Sequence, residues 1–177
     1  AVEGDRLVAV GAGANGYKAV TFHGVGTDFP LFEDIKKHVT DAGKAAGDGS
    51  HVGEVLYNRG LYAAMLATEA ARTAMKMHDT KDLTADMVRD GMEALKVDEA
   101  RMMELGLPGF APEIAVTCAN HGGPGLGAIQ QWDAEAKSWS LVTDFMGADR
   151  EVVDALIKED SEAYAKENNI TPRDCGS

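Results

Sequence analysis

The stretch from Val52 to Ala74, VGEVLYNRGLYAAMLATEAARTA, constrains this chain more than any other, because it reads as one long helix with little polar surface to turn toward water. Strong helix formers continue through it, Gly60 excepted. From Leu61 to Ala71 apolar residues occupy most of the helical circumference, so the helix is expected to be an internal layer covered on several sides. Its alanines permit close approach of a neighbouring backbone. Glu69, Arg72 and Lys76 share one face and predict a solvated stripe near its end.

The chain has 177 residues, 45% of them hydrophobic, enough for one generous domain or two small ones. Its net charge of −12, from 29 acidic against 17 basic residues, is spread without a basic stripe. That pattern disfavours nucleic acid and anionic membranes as partners, since both attract clustered Lys and Arg. No apolar run reaches the length of a membrane span.

Arg6 to Val10 reads as a strand, followed by the loop Gly11-Ala12-Gly13-Ala14-Asn15-Gly16 and a second strand from Lys18 to His23. Phe29 to Ala46 predicts a helix capped by Asp28, and Thr84 predicts the cap of a helix running to Lys96. Asp98 to Leu105 adds a short helix. Ile114 to Cys118 is expected to be a strand, then the turn-rich NHGGPGLG. Two strands, Ala128 to Asp133 and Ser138 to Asp144, flank DAEAK and bring Trp132 beside Trp139. A last helix from Ala148 to about Glu167 places Val152, Val153, Leu156, Ile157 and Tyr164 on one face.

The glycine loop matches G-x-G-x-x-G literally, but the dinucleotide fingerprint needs a helix to open at its third glycine. Here YKAVTFHG follows, which favours a strand, so a glycine-rich loop between two strands is the better reading. A cytosolic α/β enzyme holding a nucleotide at GAGANG stands as the alternative. Cys118 and His121 have half the spacing of a metal site, with no second pair to complete it; His121 is expected to be a turn residue bonded to nearby backbone. No nucleophile, base and oxyanion donor come together, so no catalytic residue is assigned and the chain is read as a non-enzyme. The cysteines at 118 and 175 are either two free thiols or one bridge tying the tail back to the strand near Thr117. At the start of the long helix, orphan amides stand beside Tyr57, Asn58 and Arg59, a combination suited to a small polar ligand. The structural alternative has Tyr57 packing and Arg59 paired with Glu54.

YNRGLYAAMLATEAARTA, LTADMVRDGMEAL, the G-L-P segment, the N-H-G-G turn, QQWDAEAKSWSLVTD and the NNITPRDC tail, in that order, resemble the type I periplasmic solute-binding proteins of ABC transporters. The branched-chain amino acid receptor group is the nearest branch, and GYKAVTFHGVGTDFPLFEDIKKHV resembles the stretch in which that family's chain crosses between lobes. The resemblance implies an α/β, two-lobed architecture, present here as a C-terminal portion. Residues 1–22 would be part of lobe 2, 23–125 part of lobe 1 with the long buried helix, and 126–177 a return to lobe 2 with the hairpin and last helix. It implies hinge closure on a small solute, an amino acid or related carboxylate, a permease as partner, a periplasmic location and no cofactor. The family's aromatic ligand contact maps onto Tyr57, with Asn58 and Arg59 adjacent. A missing N-terminal portion or an oligomeric partner is expected to complete both lobes. A sensory ligand-binding domain of the same fold is the remaining alternative.

Overall fold

Alternation of side chains organises the sheet. Along β4 (Leu126–Asp133), Ala128, Gln130 and Trp132 point inward and are buried, as a two-residue period demands. The computed structural model describes residues 4–175; Ala1 to Glu3, at the head of the 1–22 segment, and Gly176 and Ser177 of the tail lie outside the described residues. β1 (Lys18–Thr21) runs antiparallel to β4 with Thr21 opposite Ala128. β5 (Ser138–Leu141) pairs on the other edge with Trp139 opposite Trp132. The two indole rings meet edge to face at 5.5 Å, the geometry their quadrupoles favour. Asp133 shapes the turn between them by accepting hydrogen bonds from the amides of Glu135 and Ala136. A short β6 (Met146–Gly147) pairs with the first residues of β4.

The segment expected as a first strand is a helix, α1 (Gly4–Val10). A four-residue apolar run, Leu7 to Val10, does not distinguish the two, and here Leu7 is buried, against Trp132, while Val8 and Val10 are exposed. The glycine loop therefore follows a helix rather than a strand, as a 3₁₀ turn over Gly11–Ala14. The Phe29 to Ala46 helix is also shorter than expected. α2 (Pro30–Ile35) starts on Pro30, with Phe29 at the N-cap instead of Asp28 and no side-chain cap bond, then passes into a π-helical turn, Lys36–Thr40.

α3 (Val55–His78) is the long helix. α4 (Ala85–Glu93) packs on it, capped by the Thr84 hydroxyl accepting from the amide of Met87. β2 (Lys96–Val97) ends the segment expected to be helical up to Lys96, and pairs with β3 (Ile114–Ala115). Between those strands α5 (Glu99–Glu104) is capped by Asp98. Met65, Ala70, Leu95, Val97, Met102, Leu107 and Phe110 form the core of this helical body. A separate cluster of Leu7, Ala14 and Trp132, with Trp139 beside it, serves the sheet. The architecture is thus mixed helix and sheet, and every strand pairing among the described residues is antiparallel.

α3 is not covered on several sides by the described residues. Met65, Glu69, Ala70 and Ala74 are buried, while Leu56, Ala63, Ala64 and Ala67 form an open apolar stripe. The predicted solvated stripe is corrected at Glu69, which is only 8% exposed. Its carboxylate accepts from Arg101 Nε at 2.8 Å and Nη2 at 2.9 Å, a two-point bond that ties α3 to α5. α6 (Arg150–Glu167) starts at Asp149 as a capped helix, but none of its residues is buried; Val152, Leu156, Ile157 and Tyr164 are all more than half exposed.

Two outcomes test this packing. Gly91 of α4 lies against the α3 backbone, where an added Cβ would stand 2.7 Å from the Ala74 Cβ. Gly91→Ala, which in an open helix gains up to about 1 kcal/mol, is expected here to lose about 2 kcal/mol of unfolding free energy in urea titration. Glu69→Gln is expected to cost about 2 kcal/mol at neutral pH, reduced from a fully buried pair because Arg101 is partly exposed. The Arg101 hydrogen bonds hold the folded Glu69 carboxyl below its ordinary 4.5. Its contribution is therefore complete above that value and is lost as pH falls through the lowered folded one, so the gap between wild type and Glu69→Gln closes in acid.

Candidate functional site

Successive residues of a helix point about 100° apart, so Tyr57, Asn58 and Arg59 at the start of α3 face three directions. Asn58 turns inward and is fully buried. Its amide donates to the carbonyls of Gly24 at 3.3 Å and Gly26 at 2.9 Å, fastening the strap that carries the chain from β1 into the helical body. Tyr57 is half-buried, its ring 6.4 Å from Phe32, and it walls a hollow of about 350 Å³ with Val39, Ala46 and Val52. Arg59 is exposed. Glu54 pairs with His51 at 3.1 Å, not with Arg59.

His23 is the residue that sequence reasoning passed over. It is 1% exposed, stacked on Phe110 at 5.6 Å and tilted against Tyr62 at 6.2 Å. Its Nδ1 lies 2.9 Å from the Gly24 carbonyl, which only a protonated Nδ1 can serve, so Nε2 is the bare acceptor. Burial depresses the His23 pKa below 6.5, opposed by the Gly24 hydrogen bond and aided by the charge of Arg59. Burial likewise pushes the Tyr62 phenol up to about 12. The Thr21 hydroxyl donates to the His23 carbonyl at 2.9 Å, and the Gly24 amide donates to Phe110. Gly24 admits no side chain, because a Cβ there would stand 2.6 Å from the Phe29 ring. Asn58 Oδ1 and His23 Nε2 are both buried without a partner among the described residues. No signal in the sequence joins these groups, since Asn58 and Gly24 are 34 residues apart.

A second hollow, of about 310 Å³, opens where the sheet meets the strap and the start of α3. Trp132, Trp139 and Ser138 form one wall, Thr27, Gly53 and Glu54 the other. The arrangement offers aromatic faces, hydroxyls and loop backbone, which suits holding a small solute better than transforming one. The glycine loop offers no such place. Its order is helix, turn, strand, the reverse of the fingerprint's, and no helix opens from it toward a phosphate. Among the described residues no group of three His, Cys, Asp or Glu is placed to hold a metal ion. Cys118 is joined to Cys175, with their Cα atoms 5.5 Å apart. The His121 ring faces Glu93 at 3.3 Å rather than bonding to backbone.

A mixed helix and sheet chain of this shape is found in components of ABC transporters. A solved protein described as an ABC transporter permease, from the Pseudomonas fluorescens group, superposes on 96% of this chain with a TM-score of 0.87 and 36% identity. A branched chain amino acid ABC transporter from Thermus thermophilus, solved with bound valine, covers 85% with a TM-score of 0.63 and 22% identity, a likeness of fold. The chain spans 40% and 39% of the length of those two proteins. No protein-family model and no curated relative matches it.

Asn58→Ala removes both strap bonds without touching Tyr57 or Arg59. It is expected to lower stability by about 2 kcal/mol and to speed amide exchange in residues 22–27 beyond that of α3.

Proposed function

We propose that this chain is the C-terminal portion of an extracytoplasmic substrate-binding component of an ABC transporter. It captures a small solute, an amino acid or related carboxylate, by hinge closure of two lobes and delivers it to a membrane permease. Residues 1–22 and 126–177 belong to one lobe and 23–125 to the other. The observation that carries this reading is the superposition of nearly the whole chain on one ABC transporter protein, together with the shared fold of a second that holds valine. Support comes from the separate apolar clusters of sheet and helical body, and from the solute-sized hollow that Tyr57 walls. The open apolar stripes of α3 and α6 fit a chain that completes itself against the rest of a longer protein. A bridged cysteine pair agrees with an oxidising compartment such as the periplasm.

The binding role is preferred to a membrane-spanning one because α3, the longest helix, carries Asn58, Arg59, Glu69 and Arg72. Among the described residues no helix is long and apolar enough to cross a membrane. On this reading Tyr57 stacks against the solute, Arg59 attracts its carboxylate, and Asn58 acts from below by holding the strap.

In the full-length protein, thermal stabilisation by amino acids or aromatic carboxylates is the expected result. A shift with NAD or ATP alone would overturn the proposal in favour of a nucleotide enzyme. Tyr57→Ala is expected to weaken the stabilising solute about tenfold by calorimetry with little change in melting temperature; unchanged affinity would remove Tyr57 from the site.

A further inference from the structure

We infer that the Cys118–Cys175 disulfide is a redox-sensitive latch that holds the C-terminal tail, and through it the far end of α6, against the helical body. Cys118 lies just after β3, where the chain leaves that body, and Cys175 lies in the tail beyond α6, a sequence separation of 57. The bridge therefore closes β4, β5, β6 and α6 into one covalent ring that starts and ends at Cys118, beside the helical body. A second bond pins the same tail. Arg173 Nη1 donates to Glu93 Oε1 at 2.6 Å, on a carboxylate whose side chain is only 10% exposed and which also faces His121.

What makes these two bonds a latch is the helix they restrain. α6 is joined to the sheet at its start through β6, yet buries none of its own residues. Little apolar packing holds its far end, so once the disulfide opens, the tail loses its covalent tie and is retained by side-chain pairs such as Arg173–Glu93, whose arginine is half exposed. Cys175 is exposed and Cys118 partly so, which leaves the bridge open to a small dithiol. In that exchange the S–S bond breaks, the dithiol closes to its own disulfide, and its two protons and two electrons leave Cys118 and Cys175 as thiols. The helical body has its own core, of which neither cysteine is a member, and keeps its structure. The inference stands whether or not the chain binds a solute.

Hydrogen exchange of the full chain, with and without dithiothreitol, tests it. Reduction is expected to speed exchange in residues 150–175 at least tenfold while α3 and α4 keep their protection, and Cys175→Ser is expected to do the same without reductant. Arg173→Ala should add to the effect in the reduced chain and change little in the oxidised one. Equal protection of α6 in both redox states would overturn the latch. So would loss of protection in α3 together with α6, because the bridge would then be a staple of the whole fold.

Discussion

Two hydrogen bonds from one buried amide anchor the strap that runs between the halves of this molecule. The helical body and the sheet keep separate apolar clusters, and the chain must cross between them at residues 22–27 without leaving buried carbonyls unpaired. Asn58 supplies the donors for Gly24 and Gly26, and His23 adds another to Gly24. An unpaired buried carbonyl costs about 1–3 kcal/mol, a sizeable share of the roughly 5–15 kcal/mol that holds a domain together. The position of the strap therefore depends on a side chain that lies between Tyr57 and Arg59, and anything that moves Asn58 moves both neighbours.

α3 carries that side chain and serves two surfaces. Its inner stripe uses Ala70 and Ala74 to admit Gly91 of α4 at backbone distance, with Met65 filling the adjoining core. Leu56, Ala63 and Ala67 make its other stripe equally apolar and leave it open. A hydropathy pattern records both stripes alike. Which of them the chain itself covers is decided by Leu95, Met102 and Phe110, far along the sequence.

The same distinction separates what was legible in the sequence from what was not. Thr84 is a cap that acts within three residues, and the Trp132 and Trp139 pair follows from a short turn between strands; such elements were read locally, although Asp28, read as a cap in the same way, gave its place to Phe29. Arg6 to Val10 failed because four apolar residues satisfy a helix or a strand, and the placement of Leu7 beneath Trp132 chooses. Glu69 looked solvated because its partner, Arg101, sits 32 residues away. The cysteine alternatives stayed open for the same reason. At the candidate site, Tyr57 and Arg59 were visible as residues at a helix start. The inward turn of Asn58 and the burial of His23 depend on contacts that no local pattern contains.

These long-range links share a physical character. Within each cluster, cohesion comes from apolar area and is spread over many contacts. Between the sheet side and the helical body, directional bonds among the described residues include Asn58 to the strap carbonyls, Arg173 to Glu93, and the disulfide. Area-based cohesion yields gradually, whereas a directional bond is either made or broken. A molecule assembled in this way keeps each cluster rigid while concentrating its capacity for rearrangement in a few named groups. Substitutions at those groups are therefore separable from substitutions in either core, since they change the relation between clusters before they change the clusters themselves.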